Sequence, residues 1–112
     1  PKAKILAHPT GRLLNQRNGY ELNWKEVFDF ALKENKALEI NAFPSRLDLP
    51  DTLVREAVEL GVKLIINTDS HALTQMDLMP YGVAVARRGW AQKGDILNTW
   101  EYNKLKRWFE NT

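Results

Sequence analysis

The feature that most constrains the fold is an apolar run at residues 62–66 that ends in the polar block NTDSH at residues 67–71. Short runs of Val, Leu and Ile bounded by a glycine (Gly61) and polar residues are typical of buried parallel strands. Asp69 and His71 lie two positions apart, so in an extended backbone their side chains project to the same side. In parallel α/β folds, ligands and metals bind at the carboxyl ends of the strands. A carboxylate and an imidazole there suit Zn²⁺, Mn²⁺ or Fe²⁺, although the same pair also occurs in solvated loop turns.

Two earlier apolar runs also end at polar residues. Residues 4–7 form a short strand that ends at His8, because the PTG sequence that follows cannot continue a ladder and permits a sharp turn. Residues 37–42 form a second strand, in which Glu39 and Asn41 alternate with apolar residues. A buried carboxylate is costly without a partner or a nearby cation. Glu39 therefore either points to solvent or faces a polar centre.

Amphipathic helices are predicted between these strands. Asn23 has the position of an N-cap, with Glu26 three residues later, and apolar residues then recur at helical spacing through residue 36. In the second helix, Asp51 is the expected N-cap and Gly61 is the residue that ends it. The order strand, helix, strand, helix, strand gives two right-handed crossovers and a parallel sheet whose carboxyl ends share one rim.

The last third of the chain is predicted to be mainly helical. Residues 80–89 are compatible with a strand or a helix, but the proline at the start and the glycine at the end favour a helix. A short helical piece is expected at residues 95–98. The final predicted element is an amphipathic helix over residues 102–110, whose inward-facing residues are Leu105, Trp108 and Phe109.

Composition excludes several classes of protein. The chain has 112 residues, enough for one domain with a modest core, and its 44% hydrophobic content excludes a disordered protein. We expect neither a membrane span nor a signal peptide, and a cytoplasmic location. The absence of cysteine excludes disulfides and thiolate metal sites, so any metal must be held by His, Asp, Glu or Asn. The net charge is only +2, although the sequence pI of about 9.0 is a mild indication of anionic partners. From charge alone, a slightly basic protein without such partners is the simpler interpretation.

Several sequence blocks together resemble a known family. They are AHPTGR at 7–12, LEINA at 38–42, NTDSH at 67–71, DLM at 77–79, YGV at 81–83, ARRGW at 86–90 and ILNT at 96–99. In this order they resemble the C-terminal half of the PHP (polymerase and histidinol phosphatase) domain found in bacterial family X DNA polymerases. The resemblance covers residues 1–112, and the combination of the HP, DxH and ARRGW blocks is specific, whereas any one alone would not be.

The resemblance implies an α/β fold, a distorted (β/α)₇ barrel whose strand ends hold a cluster of divalent metals, Mn²⁺ or Zn²⁺. His8, Asp69 and His71 would be metal ligands, and Glu39 and Asn41 would line the site without binding metal. Members of the family hydrolyse phosphoesters. In the polymerases the domain resembles a Mn²⁺-dependent 3′–5′ exonuclease that also processes DNA 3′ ends, which implies a role in DNA repair.

Basic residues are candidates for contacts with phosphate, because guanidinium groups match phosphate oxygens in pairs. The candidate phosphate- or DNA-binding residues are Arg12, Arg17, Arg46, Arg87 and Arg88. For each arginine, an exposed surface residue is an equally good interpretation. For the basic residues of the last quarter of the chain, a solvated helical face is the simpler alternative to a nucleic-acid surface.

The chain also departs from the family pattern. The family's barrel begins with a His-x-His motif and further His and Glu ligands, whereas the two histidines of this chain are His8 and His71. We therefore expect about half of a barrel, without the N-terminal half of the PHP domain or the polymerase core, and weak or no activity alone. Such a chain should bind the missing half or associate with itself to cover its open sheet edge.

Two other functions remain open. One is a small-metabolite phosphatase of the same superfamily, similar to histidinol phosphatase, although the ARRGW and ILNT blocks argue for the polymerase branch. The other is a non-catalytic structural or nucleic-acid-binding remnant, against which the retention of His8, Asp69 and His71 argues.

Overall fold

The fold is a small parallel sheet with helices packed on it. The computed structural model describes residues 3–16, 22–68, 70 and 77–110. The strands form a sheet in the order β1-β2-β3, with bounds β1 Ile5–Leu6, β2 Ala37–Asn41 and β3 Lys63–Asn67. The helices are α1 Trp24–Lys33, α2 Asp51–Leu60, α3 Met79–Arg88 and α4 Tyr102–Glu110. The predicted α/β class and parallel strand order are confirmed, and a partial PHP barrel stays a prediction with which this sheet is consistent.

Local sequence signals set the ends of the first two helices. The Asn23 side chain accepts a hydrogen bond from the backbone N–H of Glu26 (3.3 Å), as the capping pattern predicts. Helix α1 ends at Lys33, three residues earlier than predicted, because Asn35 has a φ of 54° and leaves the helical region. Gly61, with a φ of 85°, ends α2 as a left-handed cap.

Two predicted details are wrong. The N-cap of α2 is Pro50, whose extended backbone (ψ 158°) precedes the first helical residue, so Asp51 lies inside the helix. The Asp51 carboxylate instead accepts the N–H of its neighbour Thr52 (2.9 Å). Phe109 was expected to face inward but is 39% exposed, whereas Trp108 is buried. The residues of α4 that pack on the core are Leu105 and Trp108, three positions apart, and Phe109 points about 100° away from Trp108 around the helix.

The central strand β2 is buried along its whole length. Leu38 and Ile40 point to the face that packs against α1, α2 and α3, and they belong to the main core cluster with Phe28, Val54 and Val85. Ala37 points to the opposite face, where it packs with Leu97 and Trp108. Since side chains alternate along a strand, Glu39 and Asn41 share the face of Ala37 and lie nearer the carboxyl end.

The two edges of the sheet differ. At β3, Leu64 forms a parallel bridge with Ile96. The amide of Asn98 then pairs with Ile66, accepting its N–H (2.7 Å) and donating to its carbonyl (2.9 Å) as a neighbouring strand would. At β1, no described strand pairs with the outer edge. The expectation that a further segment or a second copy covers that edge stays a prediction.

Within the part of the chain that the structure describes, no helix has the length and apolar character needed to span a membrane.

Lys4, just before β1, gives a testable dependence of stability on pH. Its side chain is 8% exposed and its Nζ lies 4.3 Å from the centroid of the Trp108 ring. Desolvation by burial, and to a lesser extent the charge of Lys36, lower the pKa of Lys4 below its ordinary value of 10.5. Between the lowered pKa and 10.5 the unfolded chain binds more protons than the folded chain, so the stability contributed at this site rises with pH.

We therefore expect the free energy of unfolding of the wild type, relative to Lys4→Met, to increase as pH rises through the interval below 10.5. The slope should not exceed about 1.4 kcal/mol per pH unit, the limit for one proton. Methionine keeps an apolar chain over Trp108 and removes the titrating group. Urea unfolding at several pH values measures the difference, and a difference independent of pH would contradict the prediction.

Candidate functional site at the carboxyl ends of the strands

The carboxyl ends of the three strands lie side by side, because the strands are parallel and Asn41 is in register with Asn67. His8 lies two residues beyond the end of β1, and its side chain is exposed. Its carbonyl accepts the N–H of Gly11 (2.9 Å), which closes a turn over residues 8–11, here named the His8 turn. His8 has a φ of 28°, which is uncommon for a residue other than glycine, so surrounding contacts must hold this backbone in place.

Glu39 is the centre of the hydrogen bonds at this rim. Its side chain is 5% exposed. Oε1 accepts the backbone N–H of His8 (2.9 Å) and the side-chain amide of Asn41 (3.2 Å). Oε2 accepts the side-chain amide of Asn67 (3.1 Å). Of the two positions that the sequence left open for Glu39, the structure shows a polar centre rather than solvent, and this carboxylate joins the ends of all three strands.

Asn41 supports this arrangement from within β2. It is 1% exposed, and besides donating to Glu39 it accepts the backbone N–H of Phe43 (3.0 Å) through Oδ1. The expectation that Glu39 and Asn41 line a metal site without binding the metal stays a prediction. Their contacts are compatible with it, since both side chains orient the backbone at the rim.

Asp48 fixes the other half of the His8 turn. Its side chain is fully buried, Oδ1 accepts the N–H of Thr10 (3.0 Å) and Oδ2 accepts the N–H of Gly11 (2.9 Å). The backbone of Asp48 also bridges Asn41, so the loop after β2 is attached both to the strand and to the turn. No role for Asp48 follows from the sequence alone. The contact spans 37 residues along the chain, and no local pattern indicates it.

The arginine candidates occupy different places. The guanidinium of Arg12 donates to two backbone carbonyls of the loop after β2, that of Arg46 through Nε (2.9 Å) and that of Leu47. Arg12 thus joins two loops at the rim. Arg87 and Arg88 are exposed in the last turn of α3, and Arg88 Nε lies 3.3 Å from the carboxylate of Asp51. Arg17 lies outside the described residues. Phosphate binding by all five arginines stays a prediction.

The structure describes only part of the predicted ligand set. His8 is at the rim as expected, whereas Asp69 and His71 lie outside the described residues. Among residues 3–16, 22–68, 70 and 77–110, no group of three or more His, Cys, Asp or Glu side chains could hold a metal ion. The predicted site therefore depends on the two ligands that follow β3.

Comparison with known proteins gives one informative similarity. The chain is 48% identical over 94 residues to the DNA polymerase/3′-5′ exonuclease PolX of Bacillus subtilis (strain 168). The match covers 84% of this chain but 16% of that protein's length. No family model matches the sequence. The similarity supports the predicted relation to a polymerase with exonuclease function, while the PHP assignment stays a prediction.

Proposed function

We propose that this chain is the C-terminal part of the phosphoesterase domain of a family X DNA polymerase, where it takes part in 3′–5′ hydrolysis at DNA 3′ ends. The observation that carries the proposal is the 48% identity over 94 residues to a protein named as a DNA polymerase and 3′-5′ exonuclease. The arrangement at the rim supports it, since a buried carboxylate and a histidine turn meet at the carboxyl ends of parallel strands, the usual place for a site in such sheets.

The proposed activity requires divalent cations, Mn²⁺ or Zn²⁺, held by His8, Asp69 and His71. Two observations fit a cation at this rim. The imidazole of His8 is exposed there, and the described hydrogen-bond partners of the buried Glu39 carboxylate are uncharged groups. Such a carboxylate favours a nearby positive charge. Bound cations would supply a water of lowered pKa and neutralise charge on the phosphate.

The residues of the chain itself provide the framework for this chemistry. Glu39 and Asp48 hold the His8 turn by its backbone N–H groups, and His8 itself is exposed. The Arg12 side chain donates hydrogen bonds to the carbonyls of Arg46 and Leu47, so it fixes the loop after β1 against the loop after β2 at the rim. We further propose that Arg12 and Arg46, the arginines of the two loops at the rim, contact the phosphates of a DNA 3′ end.

Mn²⁺ binding tests the proposal directly. We expect the wild-type chain to bind Mn²⁺ and His8→Asn to bind it at least tenfold more weakly, because an imidazole ligand is lost. Asparagine tolerates a positive φ better than most residues, so this change removes the ring with little backbone cost. Asn15→Ala, at an exposed position with a φ of 65°, is the matched control. Electron paramagnetic resonance of free Mn²⁺ measures the affinity.

The outcomes separate the alternatives. No Mn²⁺ binding by the wild type, or equal binding by His8→Asn, would overturn the metal site. Incubation with 3′-labelled single-stranded DNA and Mn²⁺ should give weak or no hydrolysis by this chain alone, and full exonuclease turnover would contradict the expectation of an incomplete domain. Hydrolysis of a phosphate monoester without hydrolysis of DNA would indicate a small-metabolite phosphatase instead.

A further inference from the structure

The predicted ligands follow two different strands of the sheet. Strand β1 pairs with β2 through Ile5 and Leu6, and His8 follows with a φ of 28°. On the other side of β2, strand β3 ends at Asn67, two residues before Asp69 in the sequence. A side chain on β2 that contacts both strand ends can therefore set their relative position.

Glu39 is the side chain that connects these two parts. One of its oxygens accepts the backbone N–H of His8 and the other accepts the side chain of Asn67, at 2.9 and 3.1 Å. The carboxylate lies on β2 between the two strands, and Asn41 donates a third hydrogen bond to it (3.2 Å). Three donors converge on one buried acceptor group, which leaves the carboxylate little freedom to turn.

We infer that Glu39 is a positioning residue that sets the distance between the His8 turn and Asn67, the last residue of β3, without itself binding metal or substrate. The inference rests on the proposed function in so far as His8 and the ligands predicted after Asn67 hold a metal. Residues that orient metal ligands typically change metal affinity 10–100-fold when they are altered. Glu39 contacts the two strand ends through backbone and amide groups, so its effect on metal binding should depend on hydrogen-bond direction in addition to the charge that favours a cation at the rim.

Glu39→Gln tests how metal binding depends on hydrogen-bond direction, because glutamine preserves the shape of the side chain and replaces one acceptor oxygen with a donor. A glutamine has one acceptor oxygen, and its NH₂ group must face a donor that the carboxylate formerly accepted. The arrangement with fewest conflicts keeps the bonds to His8 and Asn41 and sets two amide NH₂ groups against each other at Asn67. Replacing Asn67 with Asp in the same chain gives the glutamine an acceptor, so the pair is again complementary with donor and acceptor exchanged.

The closing experiment compares four chains by Mn²⁺ affinity, namely the wild type, Glu39→Gln, Asn67→Asp and the double variant. We expect each single variant to bind Mn²⁺ about tenfold more weakly and the double variant to recover to within about threefold of the wild type. A role of charge alone predicts the opposite for Asn67→Asp, because an added negative charge at the rim would tighten Mn²⁺ binding. Tighter binding by Asn67→Asp, or no recovery in the double variant, would overturn the inference.

A second measurement does not require metal. Amide hydrogen exchange by NMR should show a protected His8 N–H in the wild type and in Glu39→Gln, and faster exchange at least tenfold in Glu39→Ala. Circular dichroism establishes which variants are folded, and Asn67→Asp changes an exposed residue and so perturbs the fold least. Unchanged His8 exchange in Glu39→Ala would overturn the positioning role. Absence of Mn²⁺ binding by the wild type would overturn the proposed function and leave this measurement valid.

Discussion

Replacing Asp48 with alanine should lower the free energy of unfolding by about 3–5 kcal/mol. The fully buried carboxylate accepts two backbone N–H groups, those of Thr10 and Gly11, and both residues are themselves buried. Alanine would leave both donors without acceptors and open a small cavity beside them. Burying an unsatisfied N–H costs about 1–3 kcal/mol each, and hydrogen bonds to a charged acceptor lie at the upper end of the range.

Urea unfolding followed by tryptophan fluorescence and circular dichroism measures this effect. Asp48→Asn keeps the shape and one acceptor oxygen, so its loss should be smaller, about 2 kcal/mol. Asp51→Ala is the matched control, because that carboxylate is part-exposed, caps a neighbouring N–H and lies 3.3 Å from Arg88. It should cost about 1 kcal/mol or less. If Asp48→Ala costs no more than the control, the carboxylate does not stabilise the His8 turn.

The second large effect is expected at Gly89, where α3 ends against α2. A Cβ at this position would lie 2.4 Å from Cγ1 and 2.7 Å from Cβ of Val54, and 3.1 Å from the backbone nitrogen of Arg55. Val54 is fully buried and β-branched on a helix, so it has little freedom to rotate away. Gly89→Ala should therefore lower the free energy of unfolding by about 2–3 kcal/mol through overpacking.

A double-mutant cycle identifies the cause. Val54→Ala alone should cost about 2 kcal/mol, because it leaves a cavity in the core. Combined with Gly89→Ala it should cost at least about 1 kcal/mol less than the sum of the single changes, since the overlap with Val54 Cγ1 is removed while that with Val54 Cβ remains. Gly94→Ala is the control, because its Cβ would have no heavy atom within 4 Å, and it should change stability by no more than about 0.5 kcal/mol. Strict additivity would show that Val54 Cγ1 does not contribute to the cost of Gly89→Ala.

The identity and order of the main elements could be predicted from local patterns. The cap at Asn23, the left-handed Gly61 and the proline and glycine that bound α3 are signals carried by a few neighbouring residues. Errors arose where neighbours compete for one place. Asp51 and Pro50 compete for a cap, and Trp108 and Phe109 compete for one face of a helix. Local propensity does not decide such competitions, because packing against distant residues determines where a helix begins and which of two neighbouring side chains is buried.

The candidate site was predictable in its chemistry but not in its connections. Periodicity and turn residues act within a few positions, so local patterns suffice to predict that three short apolar strands end in polar residues. Two contacts become visible only in the folded chain: Glu39 faces inward to the backbone of His8, 31 residues away, and Asp48 accepts the N–H of Gly11, 37 residues away. A buried carboxylate is stable only where several donors converge, and the donors here come from separate loops that meet after the sheet has formed.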